Sequence, residues 1–227
     1  MSGQLSGQIV SIAELSSADR NAMFAVMDLV YAGLTRETFE EDLDAKDEVV
    51  VLRTETGDIV GFSSQKRMTA GGVEGLFSGD TVLHPAHRGS PVLWQTFARR
   101  YIFDAPVPLH WFLVSKGYRT YRILANFLKA YWPRRGIPTP EADQRVMTAY
   151  AGQLFPSDYD PHTGVLAYRT PKDRLRDTEL SERELSQPEV AFFVEANPGW
   201  TVGHDLVCLA ELSENNLKPG LIPLLRA

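Results

Sequence analysis

The first third of the chain begins with apolar residues at helical spacing and then changes to β-like runs. One apolar stripe, in a segment that Ser17 can cap, predicts a helix over residues 17–34. The stripe consists of Met23, Val26, Met27 and Val30. A second, acidic helix is predicted over residues 35–43, with Thr35 as its cap. Residues 1–9 are rich in Gly, Ser and Gln, and we expect them to be loosely ordered.

Three β-like runs follow, over residues 48–54, 59–66 and 74–83. A Glu-Thr-Gly-Asp turn joins the first two as a hairpin, and the short connections predict one antiparallel meander. A helix is predicted over residues 91–103. The next run, residues 106–114, shows no polar–apolar alternation, which indicates a strand with both faces covered.

A further helix is predicted over residues 118–131, and the remainder of the chain is less regular. It contains helical patterns over residues 141–154 and 181–195 and a clear strand pattern over residues 205–212. A long stretch separates this last strand from the helix at residues 118–131. That stretch indicates an insertion or an added subdomain.

The composition is typical of a globular protein and argues against several classes of function. The chain has 227 residues, 44% apolar and 23% charged, enough for one large domain or two small ones. Its formal net charge of −6 argues against a general nucleic-acid binder and against attraction to anionic membranes. We find no signal peptide and no window of the roughly 20 apolar residues that span a bilayer. We therefore expect a cytoplasmic protein with no nucleic-acid partner and no transmembrane segment.

Cysteine and histidine usage offers little for metal or thiol chemistry. Cys208 is the only cysteine, so no intrachain disulfide can form, and its apolar surroundings indicate a small buried residue. His84 and His87 lack other obvious ligands nearby, and we expect no metal site. A Gly-x-Ser-x-Gly nucleophile motif is also missing from the sequence.

A strand–turn–helix at residues 80–93 carries the most informative pattern, Asp-Thr-Val-Leu-His-Pro-Ala-His-Arg-Gly-Ser-Pro-Val-Leu. It resembles the acyl-CoA-binding segment of GNAT-type acyltransferases, where an acidic strand leads into an Arg/Gln-x-x-Gly-x-Gly/Ala loop. Arg88 fills the first place of that loop, whereas Pro91 and Leu93 replace its two small residues. The order of helices and strands also follows this family, and the resemblance covers roughly residues 9–131.

The resemblance implies an α/β (α+β) fold with a mixed, mainly antiparallel sheet flanked by helices and a C-terminal extension. The acyltransferase core would span residues 9–135. Residues 136–227 would complete the sheet and add inserted helices. The implied activity is transfer of an acyl group from a thioester to the amine of a small molecule.

The same resemblance places the phosphates of the acyl donor at the turn before the helix. The expected contacts come from Leu83, His87, Arg88, Gly89 and Ser90. Proline has no N–H to donate, so the altered loop predicts weak binding of free coenzyme A and favours a non-acetyl donor. We expect an acyl-CoA or acyl carrier protein thioester, the latter as in relatives that make N-acyl amino acids or acyl-homoserine lactones. The turn could equally be a capped helix start, with Ser90 as cap.

Three residues are candidates for proton transfer. In the resembled pattern an acidic residue at the place of Asp80 takes a proton from the attacking amine. Glu74 lies an even number of residues earlier, on the same strand face unless a bulge intervenes, and Gly79 indicates such a bulge. Tyr121 matches, by helix placement alone, the tyrosine that protonates the departing thiolate. Asp80 could instead be a solvated strand end, and Tyr121 a core residue.

A non-catalytic binding module with a decayed cofactor loop is the alternative function. A cleft filled by Trp94 or Trp111 would favour it, whereas an open cleft lined by Asp80 would favour an enzyme. Lys116 and Arg119 make the turn after residue 114 basic, and they could meet donor phosphates, face an acidic carrier protein, or form a solvated face.

Overall fold

The computed structural model describes residues 4–168 and 173–227. The strands of these residues are β1 (Ser6–Ser11), β2 (Tyr31–Ala32), β3 (Glu48–Arg53), β4 (Ile59–Ala70), β5 (Val73–Leu83), β6 (Leu109–Ser115), β7 (Tyr159–Asp160), β8 (Val165–Leu166), β9 (Arg174–Leu175) and β10 (Asp205–Leu212). The helices are α1 (Ser17–Val30), α2 (Arg36–Asp44), α3 (Val92–Ala98), α4 (Tyr118–Phe127), α5 (Glu141–Leu154), α6 (Glu182–Leu185), α7 (Pro188–Ala196) and α8 (Ile222–Arg226). A short π-helix over Arg99–Phe103 continues α3.

One sheet of eight strands organises the molecule, in the order β1-β3-β4-β5-β6-β10-β8-β7. The strands β3, β4 and β5 form the predicted antiparallel meander. The pair β5 and β6 is parallel, and the other neighbours in the sheet are antiparallel. The predicted fold class, a mixed and mainly antiparallel sheet flanked by helices, is confirmed.

The parallel pair separates partway along its length. Pairing of β5 with β6 runs from Gly75 opposite His110 to Ser78 opposite Leu113 and stops there. Beyond this point β5 stays with β4 as far as Leu83, while β6 stays with β10. The two strands therefore diverge and leave an opening in the middle of the sheet.

A bulge marks the point of divergence. Ser63 pairs with Thr81 and Gln65 with Ser78, so β5 carries one more residue than β4 over this interval. The extra residue lies at Gly79 or Asp80, where the glycine in the strand pattern predicted a bulge. A bulge adds local twist and redirects the strand, which helps to turn the end of β5 away from β6.

Helices cover both faces of the sheet. On the first face α1 and α2 pack on β3 to β5, and α5 packs on Phe77 and Phe112 of β5 and β6. On the second face α3, α4, α7 and α8 pack on residues such as Leu76 and Trp111. Neighbouring residues in each strand thus point to opposite layers, as strand geometry requires.

Several element boundaries differ from those predicted. The helix α1 is capped by Ser16 rather than Ser17, and it ends at Val30 because the next two residues pair with β9. The strand β1 begins at Ser6, so ordered structure starts before residue 9, while residues 1–3 lie outside the described part. The helix predicted to reach residue 131 ends at Phe127, and the pattern over 181–195 divides into α6 and α7.

The C-terminal part of the chain completes the same sheet. The strand β10 lies between β6 and β8, in register with β6 from Leu206 opposite Ser115 to Leu212 opposite Leu109. The division of the chain at residues 135 and 136 stays a prediction. No helix within residues 4–168 and 173–227 has the length and apolar character needed to cross a membrane.

Candidate functional site

Two adjoining cavities occupy the opening between β5 and β6. The first has a volume of about 350 Å³ and is called the acidic cavity. The second has a volume of about 450 Å³ and is called the apolar cavity. Tyr31, Thr81 and Thr120 line both of them. A ligand bound in one cavity could therefore meet a ligand bound in the other at these three side chains.

Carboxylates dominate the acidic cavity. Its charged lining residues are Asp42, Asp80, Lys116, Asp173 and Asp205. They come from α2, the β5 bulge, the end of β6, the segment before β9 and the first residue of β10. The rest of the lining includes the rings of Phe39, Phe77 and Tyr168. Four carboxylates share this space with one ammonium group, which gives the described lining a net negative charge.

Asp80 lies at the bulge, half-buried in the wall of the acidic cavity. Burial raises the pKa of its carboxyl from the ordinary value of 3.8 to about 7, because the charged form loses solvation. The nearby carboxylates of Asp42 and Asp173 raise this pKa further, and the ammonium groups of Lys46 and Lys116 oppose the shift. A carboxyl group with a pKa near neutrality is suited to accept and release protons.

Lys116 is held at the end of β6 by several groups at once. Its Nζ lies 3.1 Å from Oδ2 of Asp205, 3.9 Å from Oδ2 of Asp173 and 3.3 Å from the carbonyl oxygen of Gly203. The ammonium also lies 5.3 Å from the centroid of the Tyr168 ring. The Tyr168 hydroxyl donates to Oδ2 of Asp205 at 2.7 Å. Lys116 thus belongs to the acidic cavity, whereas Arg119 of the same basic turn lines the apolar cavity.

A second lysine is fixed beneath the same cavity. The Lys46 ammonium donates to Oδ2 and to the carbonyl oxygen of Asp42, at 2.7 and 2.8 Å. A Cβ atom on Gly79 would lie only 2.6 Å from Cε of Lys46 and 2.8 Å from Oγ of Ser64. Glycine at this position therefore allows the bulged strand to pass directly over the lysine.

The apolar cavity lies between the end of β5, the start of α3 and the helix α4. Its apolar lining includes Val82, Leu83, Trp94, Ile123, Phe127, Leu175 and Leu224. Arg88, Gly89 and Ser90 line it at the turn before α3. An exposed ion pair between Arg119 and Asp177, 3.2 Å apart, contributes further polar groups. This cavity combines a large apolar surface with a cationic side chain and a turn rich in backbone donors.

The turn differs in detail from a simple capped helix start. Gly89 has φ +97°, a left-handed conformation that favours glycine, and its Cα faces open space. Ser90 Oγ accepts a long hydrogen bond of 3.4 Å from the Val92 N–H, and Pro91 is the residue at the helix boundary. The sequence analysis predicted Pro91 as the first residue inside the helix, with Ser90 as its cap.

One edge of β5 is left without a strand partner. Among the described residues no strand pairs with the β6-facing edge of β5 from Gly79 to Leu83. The main-chain N–H and C=O groups of that edge face the opening. An extended ligand that carries amide groups could pair with such an edge as an added strand does.

The structure brings together five of the residues predicted from sequence. Asp80 lines the acidic cavity, and Leu83, Arg88, Gly89 and Ser90 line the apolar cavity. The adjoining cavities thus connect the predicted base to the predicted phosphate turn.

The other three predicted residues lie outside both cavities. Glu74 is exposed near the opposite end of β5, about 20 Å of strand from Asp80, and accepts a hydrogen bond of 2.6 Å from Thr69. Tyr121 is fully buried in the core and donates to the carbonyl oxygen of Pro133 at 3.0 Å. His87 packs against His84 with the two rings tilted by 56° and their centroids 5.8 Å apart. The expected roles of these three residues are not supported by their positions.

The tryptophans do not fill the opening. Trp111 is buried on the second face of the sheet, and its Nε1 donates to Oγ of Ser78 at 2.8 Å. Trp94 forms part of the wall of the apolar cavity and packs edge-on against Trp111 and Phe127. Neither tryptophan therefore closes the opening between β5 and β6.

Several residues of the site were missed by sequence reasoning. Tyr31, Asp42, Lys46, Asp173 and Asp205 carry no local motif, and they are spread from residue 31 to residue 205. Asp205 alone gave a signal, as a charged residue at the start of a mostly apolar strand, and it is only 2% exposed. Within the described residues, no group of three or more His, Cys, Asp or Glu side chains is placed to hold a metal ion.

Neither a protein-family model nor a curated protein sequence matches the chain. Solved structures that align with it include a histone acetyltransferase and related acetyltransferase from Corynebacterium glutamicum, 16% identical over 60% of this chain and 92% of that protein, with a TM-score of 0.39. Glucosamine-6-phosphate N-acetyltransferase from Arabidopsis thaliana is 16% identical over 41% of this chain and 69% of its own, with a TM-score of 0.31.

N-myristoyltransferase from Saccharomyces cerevisiae, solved with bound myristoyl-CoA, is 19% identical over 49% of this chain, with a TM-score of 0.37. This chain spans only 29% of that enzyme's length.

Proposed function

We propose that this protein is an N-acyltransferase of the GNAT type, which moves an acyl group from a thioester to the amine of a small molecule. The observation that carries the proposal is the junction of the two cavities. Asp80 lines one cavity and Arg88 the other, and Tyr31 and Thr81 line both. An amine and a thioester bound in separate cavities would meet at this junction.

The apolar cavity is assigned to the acyl donor. The unpartnered edge of β5 can bind the amide groups of a pantetheine arm, and Arg88 can hold a phosphate through a charge-assisted hydrogen bond. The turn lacks the small residues of a typical phosphate loop, so it encloses less of the phosphate. The donor is an acyl-CoA or the thioester of an acyl carrier protein, which presents a single phosphodiester.

Asp80 is assigned as the general base. An amine is mostly protonated at neutral pH and must lose a proton before it attacks. A carboxylate with a pKa of about 7 is ionised in a substantial fraction of molecules and binds the released proton well. Glu74 is not retained for this role because it lies at the other end of the strand.

Tyr31 replaces Tyr121 as the proposed general acid. It lines both cavities, and burial raises the pKa of its phenol well above 10, so that it stays protonated. In the reaction the amine nitrogen bonds to the thioester carbonyl carbon, and the bond from that carbon to sulfur breaks. The first proton of the ammonium leaves through Asp80 to water before the attack, the second nitrogen proton goes to Asp80 as the amide forms, and the Tyr31 proton goes to the departing thiolate. Exchange with water then restores both groups.

The proposal is tested by thiol release and by the mass of the amide product. The full chain is incubated with primary amines and with acetyl-, hexanoyl- or dodecanoyl-CoA, or with an acylated carrier protein. Asp80→Asn should lower kcat by about 100- to 10,000-fold, since the base is lost while size and shape are kept. Glu74→Gln makes the same chemical change on the same strand outside the cavities, and it should leave kcat unchanged.

Two results would decide against an enzyme with this base. Thioester binding without turnover would support the non-catalytic binding module. Full turnover by Asp80→Asn would remove the assignment of the base.

A further inference from the structure

We infer that the acyl group carried by the donor is an unbranched alkyl chain of about eight carbons, and that Trp94 limits its length. The inference rests on the proposed function for the position of the thioester at the junction of the two cavities. It uses a separate set of observations, which are the side chains along one face of α4 and the surroundings of Trp94.

Three side chains of α4 form a continuous lining of the apolar cavity. Thr120, Ile123 and Phe127 all line it, and their spacing places them on one face of the helix, which is called the α4 track. Thr120 also lines the acidic cavity, so the α4 track begins at the junction. A helix rises by about 1.5 Å per residue, and the track therefore runs for about 10 Å away from the junction.

The edge of β5 and the α4 track suit different parts of a donor. The edge carries main-chain N–H and C=O groups up to Leu83, and Arg88 lines the same cavity, so this wall is assigned to the pantetheine arm and a phosphate. Ile123 and Phe127 of the α4 track have no hydrogen-bonding group in their side chains. A thioester at the junction would therefore place its pantetheine arm along β5 and its acyl chain along α4.

The apolar side chains around the α4 track keep part of their surface accessible. Trp94, Ile123 and Phe127 are only half-buried, although other apolar residues of the same helices are fully buried. Leu224 lines the same cavity and is 45% exposed, and its carbonyl oxygen accepts a hydrogen bond of 2.8 Å from the Gln95 side chain. Apolar surface in contact with water is unfavourable, and an alkyl chain bound along the track would remove it from water.

Trp94 lies at the far end of the α4 track. Its ring packs edge-on against Phe127, with centroids 5.9 Å apart, and against Trp111 at 6.3 Å. Trp94 and Phe127 also line a small neighbouring space of about 20 Å³, whose lining residues are all apolar. These two rings therefore separate that space from the apolar cavity. An extended chain advances by about 1.2 Å per bond, so about eight carbons reach from the junction to Trp94.

Calorimetry of the full chain with acetyl-, octanoyl- and dodecanoyl-CoA, without an acceptor amine, tests the chain site. Each methylene that is buried raises affinity by about fourfold. Octanoyl-CoA should therefore bind at least about 100-fold more tightly than acetyl-CoA, even if its chain is only partly buried. Dodecanoyl-CoA should bind within about threefold of octanoyl-CoA, because Trp94 prevents the added carbons from entering an apolar environment.

Two substitutions should move the preferred chain length in opposite directions. Trp94→Ala connects the cavity to the small space behind it, and dodecanoyl-CoA should then bind at least about tenfold more tightly than octanoyl-CoA. Trp94→Leu should act in the same direction and replaces it if Trp94→Ala does not fold. Ile123→Trp fills the middle of the α4 track and should reduce the preference for octanoyl- over acetyl-CoA to less than about fivefold. Ile137→Trp makes the same change at an exposed position outside both cavities, and it should keep the preferences of the natural protein.

Equal binding of acetyl- and octanoyl-CoA, no binding of octanoyl-CoA, or an unchanged preference in Ile123→Trp would overturn the alkyl-chain site. An unchanged chain-length profile in a folded Trp94 variant would overturn the role of Trp94. Failure of the proposed function looks different. Length-dependent binding with no turnover of any thioester would leave the chain site intact and remove acyl transfer. A higher kcat/KM for acetyl-CoA than for octanoyl-CoA would leave acyl transfer intact and remove the chain site.

Discussion

Lys116 and Asp205 face each other across the extended pairing of β6 and β10, with Nζ of the lysine 3.1 Å from Oδ2 of the aspartate. Both side chains are largely buried, at 13% and 3% exposure. The ion pair closes one end of the acidic cavity and connects the C-terminal strand to the site. Its integrity should therefore affect both stability and ligand binding.

Breaking this pair from one side should destabilise the fold strongly. Lys116→Met leaves the buried Asp205 charge without its cation, and we expect the free energy of unfolding to fall by about 3 to 5 kcal/mol. The double variant Lys116→Met/Asp205→Asn should recover part of this loss, because the buried Asp205 charge is removed together with its cation. Urea unfolding of the two single variants and the double variant measures the coupling.

The exposed pair of Arg119 and Asp177 provides the control for that cycle. Its side chains are 45% and 58% exposed, so Arg119→Met should cost no more than about 1 kcal/mol. If the losses of unfolding free energy in Lys116→Met and Asp205→Asn simply add up in the double variant, the two side chains are not coupled.

The raised pKa of Asp80 predicts a pH-dependent difference in stability. In the unfolded chain the carboxyl has a pKa of about 3.9, whereas in the folded protein it is about 7. The folded state therefore disfavours ionisation, and the stability present below pH 4 is lost as the pH rises towards and through 7. Asp80→Asn does not titrate, so its melting temperature relative to the natural protein should rise from pH 4 to pH 8.

Thermal melts across this range check the sign of the shift. Asp104→Asn is the matched control for removal of a carboxylate outside both cavities. A constant difference for Asp80→Asn at every pH would show that the Asp80 carboxyl ionises with an unshifted pKa.

Arg88 is predicted to contribute to donor binding while coenzyme A itself binds weakly. Arg88→Ala should raise the dissociation constant of an acyl-CoA by about tenfold through loss of one charge-assisted hydrogen bond. Arg99→Ala, at an exposed position outside both cavities, should have no such effect. Calorimetry with coenzyme A, acyl-CoA and an acyl carrier protein measures these constants. Tight coenzyme A binding that survives Arg88→Ala would refute the assigned phosphate site.

The two buried tyrosines should respond differently to removal of their hydroxyl groups. Tyr31→Phe should lower kcat by about 100-fold or more, because the proposed donor to the thiolate is lost. Tyr121→Phe loses the hydrogen bond to Pro133 and should cost about 1 kcal/mol of stability with little change in kcat. Steady-state kinetics with thiol detection and urea unfolding separate the two effects. A larger kcat loss for Tyr121→Phe would restore the assignment made from sequence.

Local sequence determined most of the secondary structure and the meander. These features depend on residues within a few positions of one another. They include the cap at Thr35, the turn before residue 59, and the alternation or continuity of apolar residues along each strand. The bulge at Gly79 was predictable for the same reason, since glycine within a strand pattern marks a local irregularity.

Only the tertiary structure decided which side chains share the site. Asp42, Asp80, Asp173 and Asp205 come from four separate segments, and they meet because β6 stays with β10 while β5 stays with β4. No periodicity or spacing within one segment encodes such a meeting. Electrostatic interactions depend on distance in space, so the raised pKa of Asp80 was equally invisible in the sequence.

Tyr121 and Tyr31 show the same contrast between positions set by neighbouring residues and positions set by the tertiary structure. Tyr121 belongs to the apolar stripe of its helix, and its sequence neighbours already indicated a core position, which the structure confirms. Tyr31 follows a helix that ends early because β9, more than 140 residues later, pairs with it. The sequence determined which helix face is buried, since that depends on spacing along one element. The long-range pairing alone brought Tyr31 to the junction of the two cavities, because such a contact is set by the packing of the whole chain.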